Sequence, residues 1–277
     1  MPTVLITGAS SGFGCLLGER LASLGYRVFG TSRTPKPSSA TVSMVELDVD
    51  DDASVGACVR SVTNAAGPID VLVNNAGRLD EGALEDYSAS DLQTVFNTNF
   101  FGVARMVNAV LPSMRATGHG RILNVGSLSG LMPLPFMGAY CASKHALESY
   151  TESLRYELQP LGIHVSIVEP GYYRTGLAGR KHRRTEGVAA YDPHRRRMFA
   201  SFDRDEETAA DPVRLVARLV RILESPHPRL RYPIGKYTLN YYLKGITPQG
   251  LWERGLRLTF GIDRRDRPRR PISSAPR

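Results

Sequence analysis

Cysteines are scarce in this chain of 277 residues, and no CxxC pair occurs. The three that are present, Cys15, Cys58 and Cys141, are an odd number and lie far apart in the sequence. This distribution is typical of unpaired thiols in a reducing compartment, so a cytoplasmic protein is expected and a disulfide scaffold is not. A chain of this length buries about three quarters of its unfolded surface, and it therefore needs neither disulfides nor a structural metal to fold.

Segments for export or for crossing a membrane are also missing. The first strand-like run, Val4–Ile6, has no basic segment and no apolar core before it, so a secretory signal is not expected. One uncharged stretch, 122–143, is long enough to span a bilayer, but it contains Pro133, Pro135 and several glycines and serines. We therefore expect no membrane span.

Acidic residues are fewer than basic ones, 27 against 35, which gives a formal net charge of +8. The excess is concentrated in three runs, at 180–184, 195–197 and 264–270. Such runs bind nucleic acid, anionic lipid or an acidic protein in some proteins, and form solvated loops or disordered ends in others. Aromatic and basic residues do not alternate as they do in nucleic-acid-binding modules. We therefore predict solvated loops, a disordered basic tail over 264–277, and no nucleic-acid partner.

Short β-branched runs alternate with longer helical patterns from the first residues onwards. The strand-like runs are 3–7, 27–31, 42–47, 69–73, 121–125 and 164–168. This alternation is typical of right-handed βαβ units, and six such strands match a doubly wound sheet. The predicted fold class is α/β, a Rossmann-type parallel sheet with helices on both faces, in a single domain over residues 1–263.

The pattern changes over residues 172–210, which are rich in Arg, His, Gly and Tyr and have weak helical character. The segment is far longer than an ordinary connection in an α/β fold, and it follows the last predicted strand at the edge where such sheets bind ligands. We predict a mobile lid whose aromatic residues cover an apolar ligand and whose arginines keep its outer face wet. Asp211 and Pro212 then start a helix that runs through Leu223.

A glycine-rich turn follows the first strand, with the sequence TGASSGFG at 7–14. Glycines at this place allow the backbone to approach a pyrophosphate and direct the amides of the next helix at it. The position between a strand and a helix therefore predicts a dinucleotide site. Its phosphate-side residues are Gly8, Ser10, Ser11, Gly12, Phe13 and Gly14.

No aspartate or glutamate occurs between Tyr26 and Pro37, where an acid would bind the ribose 2′-hydroxyl of NAD. Ser32 and Arg33 stand there instead, and a hydroxyl with a guanidinium suits a 2′-phosphate. The sequence therefore favours NADP(H), and NAD is the less favoured alternative.

Tyr140 and Lys144 lie four residues apart at the start of a helical stretch, so their side chains project from one face. The unperturbed pKa of tyrosine, about 10, is too high for efficient proton transfer at neutral pH. A lysine ammonium beside it, together with an oxidised nicotinamide, is expected to lower that pKa. Ser127 ends the fifth predicted strand, where its hydroxyl can bind a substrate oxygen. Cys141 is also four residues from a histidine, but no further ligand is near and no metal is predicted.

Taken together, these motifs resemble the short-chain dehydrogenase/reductase family. The resemblance covers nearly all of residues 1–235 and rests on the order and spacing of its motifs. They are TGASSGFG at 7–14, Asp48-Val49, Asn74-Asn75-Ala76-Gly77, Asn97-Thr98-Asn99-Phe100-Phe101-Gly102, Ser127, Tyr140-Cys-Ala-Ser-Lys144, Pro170-Gly171 and Thr175.

The resemblance implies further site residues. Asn99 would support a water that links the lysine to solvent and would complete a catalytic set with Ser127, Tyr140 and Lys144. On the adenine and ribose side the implied residues are Asp48, Val49, Asn75, Ala76 and Gly77, and beside the nicotinamide they are Pro170, Gly171, Tyr173 and Thr175. Many NADP-preferring relatives carry a basic residue where this chain has Ser11. The family also leads us to expect a homodimer or homotetramer.

The sequence is similar to the branch of this family that acts on steroids, retinoids and other bulky lipophilic alcohols. The features that carry this similarity are Gly12-Phe13-Gly14, the lid-like segment and the run 169–172. Residues 131–137 would supply an apolar wall for the substrate.

The predicted function is that of an NADP(H)-dependent carbonyl reductase or alcohol dehydrogenase whose small-molecule substrate is bulky and hydrophobic. The alternatives are a cofactor-binding regulator with little turnover and a reductase of a carrier-bound acyl group. Loss of the tyrosine or the lysine usually marks the regulator, and both residues are present here.

Overall fold

The computed structural model describes residues 1–35, 41–175 and 181–262. Its main sheet has seven parallel strands in the order β3-β2-β1-β4-β6-β7-β9, and β5 and β8 form a small separate parallel pair. The strands are β1 (Thr3–Ile6), β2 (Arg27–Ser32), β3 (Val42–Glu46), β4 (Val71–Asn74), β5 (Asp80–Glu81), β6 (Gly120–Val125), β7 (Ile163–Pro170), β8 (His182–Arg183) and β9 (Arg231–Ile234). The order reverses between β1 and β4, which confirms the predicted doubly wound α/β fold.

Helices cover both faces of the main sheet. They are α1 (Gly12–Ser23), α2 (Asp52–Ala66), α3 (Ala89–Phe96), α4 (Gly102–Thr117), α5 (Gly138–Leu158), α6 (Asp192–Glu207), α7 (Pro212–Glu224), α8 (Thr238–Ile246) and α9 (Gln249–Phe260). One core packs α2, α4 and α5 against the sheet, and a second packs α1 and α7 against its other face. Both faces of the main sheet are therefore buried, which explains why its strands are nearly continuous runs of apolar residues.

Side-chain caps start several of the helices. Asp51 accepts a hydrogen bond from the Ser54 amide at 2.6 Å, and Ser88 forms a reciprocal capping box at the start of α3. Asp211 accepts from the Val213 amide at 2.8 Å, which confirms the predicted start of α7. Each such cap satisfies an amide that the helix itself leaves unpaired.

The six predicted strands are all present, with small shifts at their ends, but the sequence analysis missed β9. This strand has four residues, and Pro233 at its centre cannot donate to a ladder. The proline is tolerated because β9 pairs with β7 alone and lies at the edge of the main sheet.

The prediction of weak helical character across 172–210 is wrong for α6, a helix of 16 residues. Pro193 stands in its first turn, where a proline is well suited, and Met198, Phe199 and Phe202 are buried on one side. Because most residues of α6 are charged or polar, the helical spacing of these few apolar residues was not recognised in the sequence. The predicted disordered tail over 264–277 lies outside the described residues, as do residues 176–180 of the predicted lid.

In the part of the chain that the structure describes, every helix is too short or too polar to span a lipid bilayer.

Candidate active site

A cleft of about 960 Å³ opens at the carboxyl ends of the parallel strands. It brings together nearly all of the residues that the sequence predicts for the site. These are Gly8, Ser10, Ser11, Gly12, Phe13, Ser32, Arg33, Asp48, Val49, Asn75, Ala76, Gly77, Ser127, Tyr140, Lys144, Pro170, Gly171, Tyr173 and Thr175. Gly14 and Asn99 do not line it.

The glycine turn after β1 is built for close approach. Gly8 has a positive φ of 66°, and a Cβ there would lie 2.8 Å from the Ala76 Cα. Gly14 lies behind the turn, where a Cβ would lie 2.6 Å from Asn75 Nδ2. That amide donates at 2.9 Å to the carbonyls of both Thr7 and Gly8. The absence of a side chain at Gly14 therefore allows α1 to pack against the Asn75 side chain, which holds the glycine turn in place. Gly14 itself does not line the cleft.

The cleft floor beyond β2 offers polar groups without protein partners. The Thr31 and Ser32 hydroxyl oxygens are buried and have no hydrogen-bond partner among the described residues. Both residues line the cleft, and Arg33 follows them at its exposed rim. Burial raises the pKa of the Asp50 carboxyl, and the nearby Arg33 guanidinium acts in the opposite direction. Unpartnered hydroxyls beside a glycine cradle fit the ribose end of a dinucleotide.

Tyr140 and Lys144 project into the cleft from the first turns of α5, and both side chains are buried. The ammonium of Lys144 donates to the Val125 carbonyl at 2.9 Å and lies 5.9 Å from the centre of the Tyr140 ring. The four-residue spacing on α5 and the hydrogen bond to the end of β6 thus place the lysine beside the tyrosine, as the sequence predicts.

The chain by itself does not lower the pKa of the tyrosine, and the lowering expected with an oxidised nicotinamide in place stays a prediction. Burial raises the pKa of Tyr140 to about 12, and the hydrogen bond from Ser127 only partly offsets that rise. Burial also lowers the pKa of Lys144 to about 8, while the carboxylate of Glu148 acts in the opposite direction. The physical reason is that Lys144 donates to a backbone carbonyl, so desolvation dominates at both groups.

Asn99 lies in a π-helical turn, Asn97–Phe101, between α3 and α4. Its side chain is fully buried, accepts from the Arg78 amide at 2.8 Å, and donates to Ser143 Oγ at 2.9 Å. Its amide therefore ties the loop after β4 to α5, the helix that carries the tyrosine and the lysine. A π turn of this kind often marks a functional position, and no sequence pattern used above predicted it.

A buried acidic pair lies one turn beyond Lys144. Glu148 contacts Arg231 at 3.2 Å, and Glu169 accepts from the Tyr232 amide at 2.8 Å. Burial raises the pKa of Glu148 to about 7 and that of Glu169 to about 8, and the Glu148 carboxylate raises the pKa of Glu169 further. At neutral pH the pair therefore tends to retain a proton.

The segment 181–207 is tied to the body by ion pairs. Arg183 contacts Glu81 at 2.6 Å and Asp203 at 2.8 Å, while Arg195 contacts Asp86 at 2.7 Å with both side chains almost wholly buried. The prediction that the arginines here form solvated loops is therefore wrong for Arg183 and Arg195. Glu81 and Asp86 come from distant parts of the sequence, which no local pattern reveals.

The predicted aromatic cover is present in part. Tyr172, Tyr173 and Phe202 line the cleft, whereas Phe199 packs in a cluster with Tyr140, and Tyr191 donates to Glu85 at 2.7 Å. Of the predicted apolar wall at 131–137, residues 132–134 line the cleft.

The sequence analysis missed a further wall of the cleft, formed by α8 and α9. Its members include Tyr237, Asn240, Leu251, Trp252, Leu256 and Phe260. The spacing of Trp252, Leu256 and Phe260 at every fourth position is the signal that could have revealed this inner face.

The Cys141 and His145 pair does not form part of a larger ligand set. His145 Nδ1 hydrogen-bonds to the Cys141 carbonyl at 2.9 Å, and the Cys141 side chain is buried in an apolar cluster. Within the described ranges, no group of three or more His, Cys, Asp or Glu side chains is arranged to hold a metal.

Comparison with known proteins agrees with this geometry. The family model described as "short chain dehydrogenase" matches residues 2–186. The 3-ketodihydrosphingosine reductase of Bacteroides thetaiotaomicron is 35% identical over 263 residues, which cover 94% of this chain and 98% of that protein. Estradiol 17-beta-dehydrogenase 1 of Rattus norvegicus is 37% identical over 254 residues, covering 83% and 72%.

Solved structures show the same fold. A short-chain dehydrogenase from Streptomyces avermitilis has a TM-score of 0.78 and 32% identity, covering 95% of this chain and all of that one. A short-chain dehydrogenase/reductase from Burkholderia phymatum in complex with NAD has a TM-score of 0.74 and 27% identity, covering 88% and 93%.

The chain belongs to the short-chain dehydrogenase/reductase family. It is an oxidoreductase of the class that transfers hydride between a nicotinamide dinucleotide and a small molecule, and the residues of its cleft fit such a cofactor.

Proposed function

We propose that this enzyme interconverts a carbonyl and a secondary alcohol on a bulky hydrophobic molecule, with NADP(H) as cofactor and Tyr140 as general acid and base. The observation that carries the proposal is that Tyr140, Lys144 and Ser127 line one cleft at the carboxyl edge of the sheet, with Tyr140 and Lys144 buried. When bound, the dinucleotide supplies or accepts the hydride. The glycine turn would hold its pyrophosphate, and Ser32 and Arg33 would hold its adenosine ribose.

The chain's own residues handle the proton. Ser127 holds the substrate oxygen against the phenol of Tyr140, which delivers the proton to the forming alcohol or removes it in the reverse direction. The positive charge of the Lys144 ammonium, together with that of the oxidised nicotinamide when it is bound, would favour the phenolate that this cycle requires. Asn99 fixes α5 against the loop after β4, and we propose that it supports the water that exchanges protons with Lys144.

Tyr140→Phe tests the proton donor. The ring stays and only the hydroxyl is lost, so kcat should fall by about 10²–10⁴-fold while cofactor affinity is kept. Tyr150→Phe is the matched control, since Tyr150 lies on the same helix, outside the cleft lining, and packs against Phe100. Retention of more than a few per cent of the wild-type kcat by Tyr140→Phe would exclude its role as the acid.

Arg33→Asp tests the choice of cofactor. A charge-assisted contact with a 2′-phosphate contributes about 1.5–3 kcal/mol, so NADPH should bind about ten- to a hundredfold more weakly, with NADH comparatively spared. Arg20→Asp makes the same charge change on an exposed part of α1 and should leave both affinities unchanged. A native enzyme that already prefers NADH would contradict the proposed roles of Ser32 and Arg33.

The substrate class rests on the apolar lining of the cleft and on the relatives. Met132, Leu134, Phe202, Trp252 and Leu256 provide a wide apolar surface beside Tyr140. The names of the two relatives reported above, a ketodihydrosphingosine reductase and an estradiol dehydrogenase, refer to substrates with long or fused hydrocarbon frameworks. A panel of long-chain, steroid and short-chain carbonyls, followed by loss of NADPH absorbance, tests this class. Faster turnover of short polar carbonyls would contradict it.

We also propose that residues 172–210 close over the substrate, that the enzyme acts in the cytoplasm, and that it assembles as a homodimer or homotetramer. The three cysteines form no disulfide with one another, which supports the reducing compartment. The lid proposal is supported by the position of Tyr172, Tyr173 and Phe202 in the cleft wall.

A further inference from the structure

The helix α8 presents an apolar stripe to solvent. Leu239, Tyr242, Leu243 and Ile246 are spaced i, i+3, i+4 and i+7, so they share one face, and they are 68%, 58%, 43% and 80% exposed. Leu251 and Leu258 of α9 are also exposed, at 61% and 66%. A helix that turns its apolar face to water is unusual, and such a patch marks a docking surface.

The same hairpin forms part of the cleft. Asn240 of α8 and Trp252 and Leu256 of α9 line the cleft, and Leu251 belongs to both its wall and the exposed patch. The apolar surface is therefore continuous from the outside of the molecule into the site. Neither helix contains a fully buried residue.

The charge around this patch is positive. Between residues 236 and 262 there are four basic residues and one acidic residue. Lys236 pairs with Asp205 at 2.7 Å and Lys244 donates to the Leu131 carbonyl at 2.7 Å, whereas Arg254 and Arg257 are exposed on α9. The sequence that follows adds five arginines and one aspartate within 264–270. An apolar stripe flanked by cations is the composition of a helix that lies in the interface of an anionic bilayer.

Other occupants fit this surface less well. A second copy of the same hairpin would bring like charges together, which opposes self-association through this face. Apart from three prolines and an alanine, the last fifteen residues of the chain contain a single apolar residue, Ile272, so their composition is poorly suited to covering six exposed apolar residues.

We propose that α8 and α9 dock the enzyme on an anionic lipid bilayer, from which a hydrophobic substrate enters the cleft along Leu251. The substrate part of this inference rests on the proposed function, whereas the docking itself rests on the exposed stripe and its charge. The sequence analysis left anionic lipid open as one partner of the basic runs, and this surface provides the apolar component that such binding needs.

Co-sedimentation of the full chain with vesicles tests the docking. Wild type should sediment with vesicles of phosphatidylcholine and phosphatidylglycerol, less with phosphatidylcholine alone, and less at high salt. The double variant Leu239→Ser and Ile246→Ser removes the two most exposed stripe residues, and its affinity should fall by about tenfold or more. The matched control, Leu161→Ser with Val213→Ser, changes exposed apolar residues elsewhere and should bind as wild type does.

Turnover of a water-soluble carbonyl and the mass in solution are measured on the same samples. The stripe variant should keep the wild-type kcat for that substrate and the wild-type mass, because neither residue lines the cleft. Absence of vesicle binding by the wild type, or equal binding by the stripe variant, would overturn the docking. A loss of oligomer mass in the stripe variant would do so too, since it would assign the stripe to a second copy. Vesicle binding without turnover of any carbonyl would instead refute the proposed function and leave the docking standing.

Discussion

Removal of the Arg195 charge should destabilise the enzyme strongly. Arg195 lies on α6, its guanidinium contacts Asp86 at 2.7 Å, and both side chains are 2% exposed. A second carboxylate, that of Asp192, pairs with the same guanidinium from a more exposed position. Burial by itself would raise the pKa of Asp86, but the Val188 amide and the Arg195 guanidinium hold it below its usual value.

The size of the effect follows from the burial of Asp86. Arg195→Met keeps most of the apolar stem and removes the charge, which leaves Asp86 buried without its cation. Breaking a buried ion pair in this way costs about 3–5 kcal/mol, compared with at most about 1 kcal/mol for an exposed pair. A chain of this size loses about 2 °C in Tm for each kcal/mol, so a drop of about 6–10 °C is expected.

Urea unfolding followed by circular dichroism, together with a thermal scan, measures this cost. Arg196→Met is the matched control, because Arg196 is the next residue of α6 and is exposed, so its variant should stay within about 0.5 kcal/mol of wild type. Adding Asp86→Asn to Arg195→Met should restore much of the loss by removing the orphan charge. An Arg195→Met variant within about 1 kcal/mol of wild type would refute the assignment of this pair as a buried anchor of the segment.

Three further outcomes are expected. Burial raises the pKa of Glu169 from 4.5 to about 8 and that of Glu148 from 4.5 to about 7, so between pH 4.5 and about 8 the unfolded chain binds fewer protons than the folded chain. The free energy of unfolding should therefore fall as the pH rises from 4.5 to about 8. Glu169→Gln should make this dependence on pH weaker when urea midpoints are compared across that range. Gly14→Ala should weaken cofactor binding about tenfold or more, because the added Cβ displaces the Asn75 side-chain amide that holds the glycine turn. A fluorescence titration of the cofactor measures this, and the control Gly250→Ala should bind as wild type does. Cofactor and alcohol together should slow hydrogen exchange in the described parts of 172–210; protection confined to residues 8–33 would contradict the lid.

The parts of the site that could be predicted from the sequence are those built by local rules. A glycine turn between a strand and a helix, and a tyrosine four residues before a lysine on one helical face, need only chain geometry to meet at the carboxyl edge of a parallel sheet. The strand β9 escaped these local rules, since Pro233 is acceptable only because that strand lies at an edge, and the place of a strand in the sheet is decided by the tertiary structure.

The ion pairs that the sequence analysis missed join residues that are far apart in the chain. Arg183 reaches Glu81 across 102 positions and Arg195 reaches Asp86 across 109, so neither ion pair leaves a periodic signal. The basic run around Arg183 looks like solvated chain because the acidic partners of Arg183 are supplied by β5 and by α6.

The amino-acid sequence by itself determined the alternation of strands and helices, the glycine turn after β1 and the placement of Tyr140 and Lys144 on one helical face, because each depends on residues that are near one another in the chain. Only the tertiary structure decided the environment of those groups. Burial raises the pKa of Tyr140 and lowers that of Lys144, and the far end of the chain folds back as α8 and α9 to wall the cleft. Desolvation depends on what packs around a group from every direction, and that arrangement is fixed only when distant segments meet.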